Sequence, residues 1–451
     1  VGQASAGNVA AEAVKIMNKI FEKDRPFSLE ATIRNYGSTP LRNYTVSFYL
    51  DGKRVMQKSV DIPPDGVSIV PFSTVPKRTG YLSGYVQCEP DQIDSDNERY
   101  FTIYIPEKTD ILFVTNSPRD ISYLQLALTA DERSRSSYAI ESIDLSKLLM
   151  TPLSRYDVMI ICSVKSFSEA EAERIKQFVT EGGGILLFPG VDLDISQYTN
   201  GFSRRLKIAP FTGRTGSLTD RSSFLSFGSI DFAHPIFSGM FEAKSMEKKA
   251  RGPSIESPHI YMTLEYQPGA TGQSIIRLSN GASFLTEYKI GNGKLLLNSV
   301  SPTLDWSDFP VKGIFVPLVR RSVSYLASLD HRLEEHLAGD EITLTLPQKA
   351  LGASQISGIV HKSPDGEEEM IQPSAGERSG ERAFTIKRTN VPGIHKIVRD
   401  NQLISSFSLN VDPRESDIRR MTVDEAVKWL TLNGMRSDAI QTIHPNERPD
   451  V

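Results

Sequence analysis

Two cysteines, seven histidines and one acidic run are where this 451-residue chain could carry chemistry. A nucleophilic cysteine needs a base to form its thiolate and a third group to orient that base. Cys162 ends the apolar run Val158 to Cys162, and the candidate bases nearest in sequence are His234, before Pro235, and His259, after Pro258. Neither stands at a spacing that implies a dyad, so a buried structural thiol is expected. Cys88 and Cys162 fall in segments assigned to different domains, which supports neither a disulfide scaffold nor a zinc site. The run Asp91-Gln92-Ile93-Asp94-Ser95-Asp96-Asn97-Glu98 offers the oxygens a hard cation wants. It fails the EF-hand spacing and lacks the Gly of the sharp turn, so a solvated acidic hairpin is expected over a calcium loop. Gly182-Gly183-Gly184 precedes a strand instead of leading into a helix N-terminus, and reads as a turn, not a phosphate cradle. No metal site and no cofactor is predicted.

The elements that would position these residues change character twice along the chain. Up to about residue 106, alternating runs at Leu29–Ile33, Val46–Leu50, Ser68–Phe72, Tyr81–Val86 and Tyr100–Ile105 are separated by turn signals such as Asp51-Gly52 and Pro63-Pro64-Asp65-Gly66. That spacing predicts an antiparallel sandwich, with Asp51-Gly52 in a type I′ hairpin turn. Ala10 to Phe21 has helical composition, but a sandwich needs a first strand there, and strand is the reading adopted. From Asp110, continuous apolar strands (Asp110–Thr115, Tyr156–Cys162, Ile185–Phe188) alternate with helices. Ser168 to Glu181 has Ser168 as N-cap, Glu171 at the capping-box position and Ala172, Ile175, Phe178 and Val179 on one face. This order predicts a parallel sheet, closed by Lys294–Val300 and a helix from Ile314 to Ser328. From Asp340 a β pattern returns, and a short helix at Val423–Leu432 precedes a polar end, His444 to Val451.

The expected architecture is multidomain α/β plus all-β: a central doubly wound, mainly parallel, flavodoxin- or amidotransferase-like sheet between two immunoglobulin-like sandwiches. The boundaries read as 1–106, 107–332 and 338–413, with 414–451 as linker or tail. Ligands of such sheets sit outside the carboxyl ends of the strands, which here carry Asn116, Ser117 and Arg119, then Cys162, Ser163 and Lys165, then Pro189, Gly190, Asp192 and Asp194, then Ser299, Ser301 and Asp305. Asn116, Ser163, Asp192, Asp194, Asp305 and Trp306 are the candidate ligand crevice, weighed against the plainer reading that they cap a sheet. For Trp306, a packing anchor against the helix at 314–328 is favoured over a stacking platform. The 51 Lys and Arg against 55 Asp and Glu, a net charge of −4, create no field that would gather nucleic acid. No run approaches the roughly 18 to 20 apolar residues that span a bilayer. The start at Val1, with no initiator Met or signal, suggests a piece excised from a longer chain whose anchors lie outside it.

The stretches Ile33-Arg34-Asn35-Tyr36-Gly37, Tyr49-Leu50-Asp51-Gly52-Lys53 and Asp94-Ser95-Asp96-Asn97-Glu98 resemble the bacterial cell-adhesion-related immunoglobulin-like domain (CARDB). Tyr156-Asp157-Val158, the run Gly182 to Gly190, His234-Pro235-Ile236-Phe237 and Asp305-Trp306-Ser307-Asp308 resemble the amidotransferase-like domain of BatA-like, aerotolerance-type bacterial membrane proteins. The resemblance implies a region exported to the periplasmic side of the inner membrane and held by helices outside this chain. Active class I glutamine amidotransferases carry a Cys on the turn after the strand that follows the Gly-rich turn. Here Pro189-Gly190 occupies that place, and His234-Pro235 is followed by Ile236 where their partner motif has Glu. The resemblance therefore implies no catalytic residue and no enzyme. It implies a module that contacts other envelope or membrane proteins. The alternative is a binding or sensing module that holds an envelope glycan or peptide in the crevice. A third reading, a hydrolase using Cys162 or the pair Asp192 and Asp194, ranks below both.

Overall fold

The computed structural model describes residues 7–91, 93–238, 240–241, 255–328, 335–347, 358–373, 381–417 and 423–436. The ambiguous opening segment starts as a strand, β1 (Val9–Ile16). It is followed by β2 (Phe27–Asn35), β3 (Leu41–Leu50), β4 (Lys53–Ile62), β5 (Gly66–Thr74), β6 (Gly80–Gln87) and β7 (Glu98–Ile105). A three-stranded sheet, β1-β2-β5, faces a four-stranded one, β4-β3-β6-β7. Period-two alternation sends Phe27, Leu29, Ala31 and Ile33 of β2 inward against Val46 and Phe48 of β3 and Leu82 and Val86 of β6. Asp51 and Gly52 both take positive φ (49° and 73°), the type I′ turn expected between β3 and β4. β4 itself has no apolar alternation strong enough to be read from sequence, since as an edge strand it buries little beyond Ile62.

The central unit begins with β8 (Thr109–Thr115), helix α1 (Ser122–Thr129), β9 (Tyr138–Ile143) and β10 (Val158–Cys162). Next come α2 (Glu169–Thr180), β11 (Gly184–Phe188), β12 (Phe211–Gly216), β13 (Phe227–Ile230) and β14 (Met262–Tyr266). The unit ends with β15 (Gly272–Leu278), β16 (Ser283–Ile290), β17 (Gly293–Asn298) and α3 (Phe315–Ala327). Its eight-stranded sheet runs β13-β15-β16-β17-β11-β10-β8-β9. The five strands from β17 to β9 pair in parallel, and β16, β15 and β13 extend the sheet antiparallel. The sheet is thus mixed, with a parallel half. β10 and β11 are buried at every position because both faces are covered. Ile160, Cys162, Leu186 and Leu296 face α1 and α3, whereas Met159, Ile161, Ile185 and Leu187 face α2.

Helix α2 forms where its end signals lie. Ser168 accepts from the Glu171 N–H, and the Glu171 carboxylate accepts from the Ser168 N–H at 2.8 Å. At the other end the Gly182 N–H donates to Val179 O and the Gly183 N–H to Phe178 O, a Schellman closure with Gly182 at φ 108°. The following glycine has a different reason. A Cβ on Gly184 would lie 2.5 Å from Leu326 Cβ, so the start of β11 and the end of α3 approach closer than any side chain allows.

The third unit holds β18 (His336–Leu337), β19 (Ile342–Pro347), β20 (Ile359–Lys362), β21 (Glu368–Met370), β22 (Glu381–Ile386), β23 (Gly393–Arg399) and β24 (Gln402–Asn410). The sheet β18-β24-β23-β20-β21 packs on the pair β19-β22 around Ile342, Ile359, Phe384, Ile386, Ile397 and Leu409. A last helix, α4 (Val423–Leu432), has the expected bounds, and the polar end His444–Val451 lies outside the described residues. Residues Pro413–Ser416 are no free tail, since they turn back onto β1.

The units are joined by specific polar contacts. Tyr100 and Asn410 exchange two hydrogen bonds (2.7 and 3.0 Å), and buried Arg99 donates to Val411 O and pairs with Glu335. The loop between β1 and β2 reaches the central unit, where Ile20 enters the core and Glu22 accepts from Ser324 at 2.8 Å. A Gly184→Val variant should lose about 1 to 3 kcal/mol by overpacking against Leu326, and Ser168→Ala about 1 kcal/mol by loss of the cap. Both are read from urea denaturation midpoints.

Candidate functional site

The chain leaves β8 to one side for β9 and to the other for β10, so the strand order reverses between β8 and β10. That switch point is where an open α/β sheet places a ligand. Here the turns after β10 and β11 pack on one another. Ser163, the residue after β10, is buried and takes φ 53°, a left-handed conformation uncommon outside glycine. The turn after β11 lies directly on it: a Cβ on Gly190 would fall 2.7 Å from Ser163 Cα. The Asp194 N–H donates to Lys165 O at 2.9 Å, and the fully buried Tyr198 donates from its hydroxyl to Val164 O at 2.9 Å while its ring meets Phe167, Phe202 and Phe211.

Of the residues expected in a crevice, Ser163, Pro189, Gly190 and Asp194 are thus brought to one place. Asp194 is committed, since both its oxygens accept from Gln197 (3.0 Å each). Asp192 is exposed on the same turn, and Asn116 is exposed on the turn after β8, where the Ser117 N–H donates to Thr115 Oγ1. Asp305 is exposed on the loop after β17, but the neighbouring Trp306 is fully buried in the core shared with Phe309 and Phe315. Its carbonyl accepts from the Tyr261 N–H at 2.9 Å. Trp306 is the packing anchor of its loop, and its ring lines no open crevice.

Cys162 has none of the features that make a thiolate. Complete burial pushes its thiol up to about 12, and its Sγ sits 3.8 Å from Asp120 O and 3.7 Å from Ser163 Oγ. His234 is engaged elsewhere: its Nε2 lies 3.2 Å from Glu287 Oε2 and its Nδ1 accepts from the Ile236 N–H. Tyr325 donates to the other oxygen of Glu287 at 2.5 Å. Burial alone would raise the Glu287 carboxyl, but the bonds from His234 and Tyr325 and the charges nearby outweigh it and hold the group below the usual carboxylate range. His259 is half-exposed and faces Asp308, with 3.4 Å between Nδ1 and Oδ2.

Two further polar clusters were not legible in sequence. In the third unit His395 Nε2 donates to Val391 O at 2.9 Å, which leaves its Nδ1 as acceptor for His361 Nε2 at 2.8 Å. Both rings stack on Phe407. Burial, then the charge of Arg388, lowers His361; burial lowers His395 to about 4. The acidic run does link the β6–β7 hairpin, with Asp94 and Ser95 exposed, but it is solvated only in part. Asp96 and Asn97 are 4% and 5% exposed, and Asp91 accepts from the N–H groups of Val9 (2.8 Å) and Ile93 (3.1 Å).

No family model and no curated protein matches the chain. Solved structures to which it is similar include a cytoplasmic protein from Salmonella typhimurium, 14% identical, covering 48% of this chain and 98% of that one at a TM-score of 0.36. A putative ThuA-like protein from Bacteroides uniformis is 14% identical over 49% of this chain and 91% of its own, at a TM-score of 0.35. The CARDB domain of a Pyrococcus furiosus protein is 15% identical over 22% and 94%, at 0.20. Each likeness takes in half of this chain or less, so what those proteins do is not carried over to it.

Because the Glu287 carboxyl is lower in the folded chain than in the unfolded one, its stabilisation is complete above the unfolded value of about 4.3 and fades as pH falls through the folded value. Glu287→Gln should cost about 1 to 3 kcal/mol at pH 7 and flatten the decline in the denaturation midpoint between pH 5 and pH 3. His395 has the same sign by a different route, since its neutral ring is the folded form. The third unit should lose stability as pH falls from about 6.5 towards about 4, and an NMR titration of the His395 ring should place its midpoint near the lower value.

Proposed function

We propose that this chain is a non-enzymatic, exported module of a membrane-anchored envelope protein and acts by holding another envelope protein. The observation that carries this reading is where the molecule is open. At the carboxyl edge of the parallel sheet the turns after β10 and β11 pack on one another, whereas the opposite edge borders a groove of about 3400 Å³. Its walls come from all three units, with Tyr81 and Tyr104 on β6 and β7, Asp157 and Asn292 at the central sheet, and Leu403 on β24. Small-molecule pockets hold about 300 to 1,000 Å³, so this space suits a segment of another protein. The closed edge supports the same reading, because no side chain fits on Gly190 where the amidotransferase resemblance would put a nucleophile. The CARDB-like and amidotransferase-like resemblances, and the BatA-like placement between membrane anchors, belong to this proposal.

Tyr104 and Leu403 are 39% and 42% exposed, so charge placed there should leave the fold intact. With the anchored full-length protein, in-cell crosslinking followed by affinity purification should recover an envelope partner that a Tyr104→Asp, Leu403→Asp variant of unchanged circular dichroism loses. Equal recovery from both proteins would remove the groove from the mechanism. Glutamine hydrolysis by the purified chain would overturn the non-enzymatic reading.

A further inference from the structure

We propose that β9, the outer strand of the central sheet, pairs edge to edge with β9 of a second copy of this chain. A strand at the end of a sheet presents a row of N–H and C=O groups that any extended chain can bond, and folded proteins blunt such edges with charge, proline, bulges or cover. Other edges of this molecule are blunted in these ways. β5 has Pro71 within it, and β4 has Lys53, Arg54 and Lys58 along a broken register with β3. β13 has four residues and an irregular register, β21 has three with Glu368 and Glu369 among them, and β7 is closed by Asn410.

β9 has none of these guards. It runs for six residues, Tyr138–Ile143, in unbroken parallel register with β8, and among the described residues no strand lies beyond it. It holds no Pro, Lys or Arg, and its one charged residue is Glu141, whose carboxylate accepts from the Tyr156 hydroxyl at 2.5 Å. Tyr138 and Ile140 pack on the core under α1 and α3, and Ile143 on the core under α2, so an apolar layer reaches the edge on each face. The neighbouring elements add exposed apolar side chains. Leu126 of α1, next to the Gln125 that donates to Ser142 at 3.3 Å, is 63% exposed, and Met150, in the helical segment Leu145–Met150 that follows β9, is 82% exposed.

The side chains of β9 select both the occupant and the register. A second copy pairs antiparallel about a twofold axis that crosses the sheet, so its α1 side continues the α1 side of the first, and opposed residues must point to the same face. Centred on Ile140, the pairing sets Ile140 against Ile140, Tyr138 against Ser142 and Ala139 against Glu141. Centred one residue later it would oppose Glu141 to Glu141, and like charges directly opposite destabilise a pair. Centred one residue earlier, only Tyr138 to Ile140 would overlap. This match of the strand to itself favours a second copy over a segment of another protein. Strand direction inverts across the axis, so the grooves of the two copies open at opposite ends of one continuous sheet.

Sedimentation of the whole chain should show a species of twice 50.1 kDa whose share rises with concentration. Each Ala139 faces Glu141 of the other copy, so Ala139→Glu should weaken the dimer and Ala139→Lys strengthen it, each by about fivefold. A substitution that acted on the fold alone would not reverse its effect with the sign of the charge. Ile140→Cys, on the axis, should give a disulfide-linked dimer on mild oxidation, since Cys88 and Cys162 are buried, whereas Ile69→Cys on the guarded β5 should not. A single 50.1 kDa species at every concentration would overturn the pairing. So would a dimer indifferent to the charge at position 139, or one crosslinked through Ile69→Cys in place of Ile140→Cys. Recovery of an envelope partner through the groove is a separate readout, so failure of the pairing and failure of the groove are told apart.

Discussion

The strand direction of the central sheet decides where everything else in this molecule can be. In a parallel sheet each helix runs back against the strands, so the chain both enters and leaves at the edge where the strands begin. β8 follows the first unit within a few residues, and the end of α3 stands beside the start of β11, where Leu326 meets Gly184, and of β17, where Lys294 donates to Ser328 O at 3.1 Å. The two flanking units are therefore forced to the same edge, opposite to the one where α/β folds place ligands. The shared groove follows from that geometry. No special sequence is needed to open it.

Burying both faces of the parallel half sets a second condition, that polar groups inside it must be paired. Glu287 and Lys294 are the buried charged residues of two adjacent strands, and each has found its compensation: Glu287 with His234 and Tyr325, Lys294 with Ser328 O and the Tyr325 ring at 4.5 Å. Tyr325 thus serves both charges from α3, which fixes that helix over β16 and β17. The same rule is met in the third unit by the His361–His395 chain, whose tautomers are set from one end by Val391 O.

What the sequence made legible was local. The Asp51-Gly52 turn, the Ser168 capping box and the buried runs of β8, β10 and β11 each declare themselves within a dozen residues, through positive φ, reciprocal capping or continuous hydrophobicity. The stretch between β11 and β16 was hardly read at all. Its strands β12 to β15 are short, pair antiparallel with irregular register and carry mixed residues such as Phe211-Thr-Gly-Arg-Thr-Gly216, so no period survives. His234 showed its neighbour Pro235 but not Glu287, 53 residues on. A charged residue within the run Ser283–Ile290 was the available signal that a partner must exist. The acidic run misled for the same reason: Asp94-Ser95-Asp96-Asn97 looks solvated until Asn8 and Ser416, distant in sequence, close over it.

The open groove and the closed switch point are linked through rigidity. A groove between units keeps its shape only if the units do not swing, and polar interfaces of this kind ordinarily permit such motion. Here the hinge between the first and third units is crossed by a reciprocal pair, Tyr100 N–H to Asn410 Oδ1 and Asn410 Nδ2 to Tyr100 O, which constrains orientation as a strand pair does. Arg99, 3% exposed, adds a charge that would be left buried and uncompensated if Glu335 and Val411 O were drawn away from it. On the central side, Glu22 reaches both Ser324 and Arg321 of α3, the helix that Gly184 holds at van der Waals distance from β11. The walls of the groove are thus tied to the most buried layer of the molecule, and a partner seated there would meet a surface already formed, with little ordering left to oppose its binding.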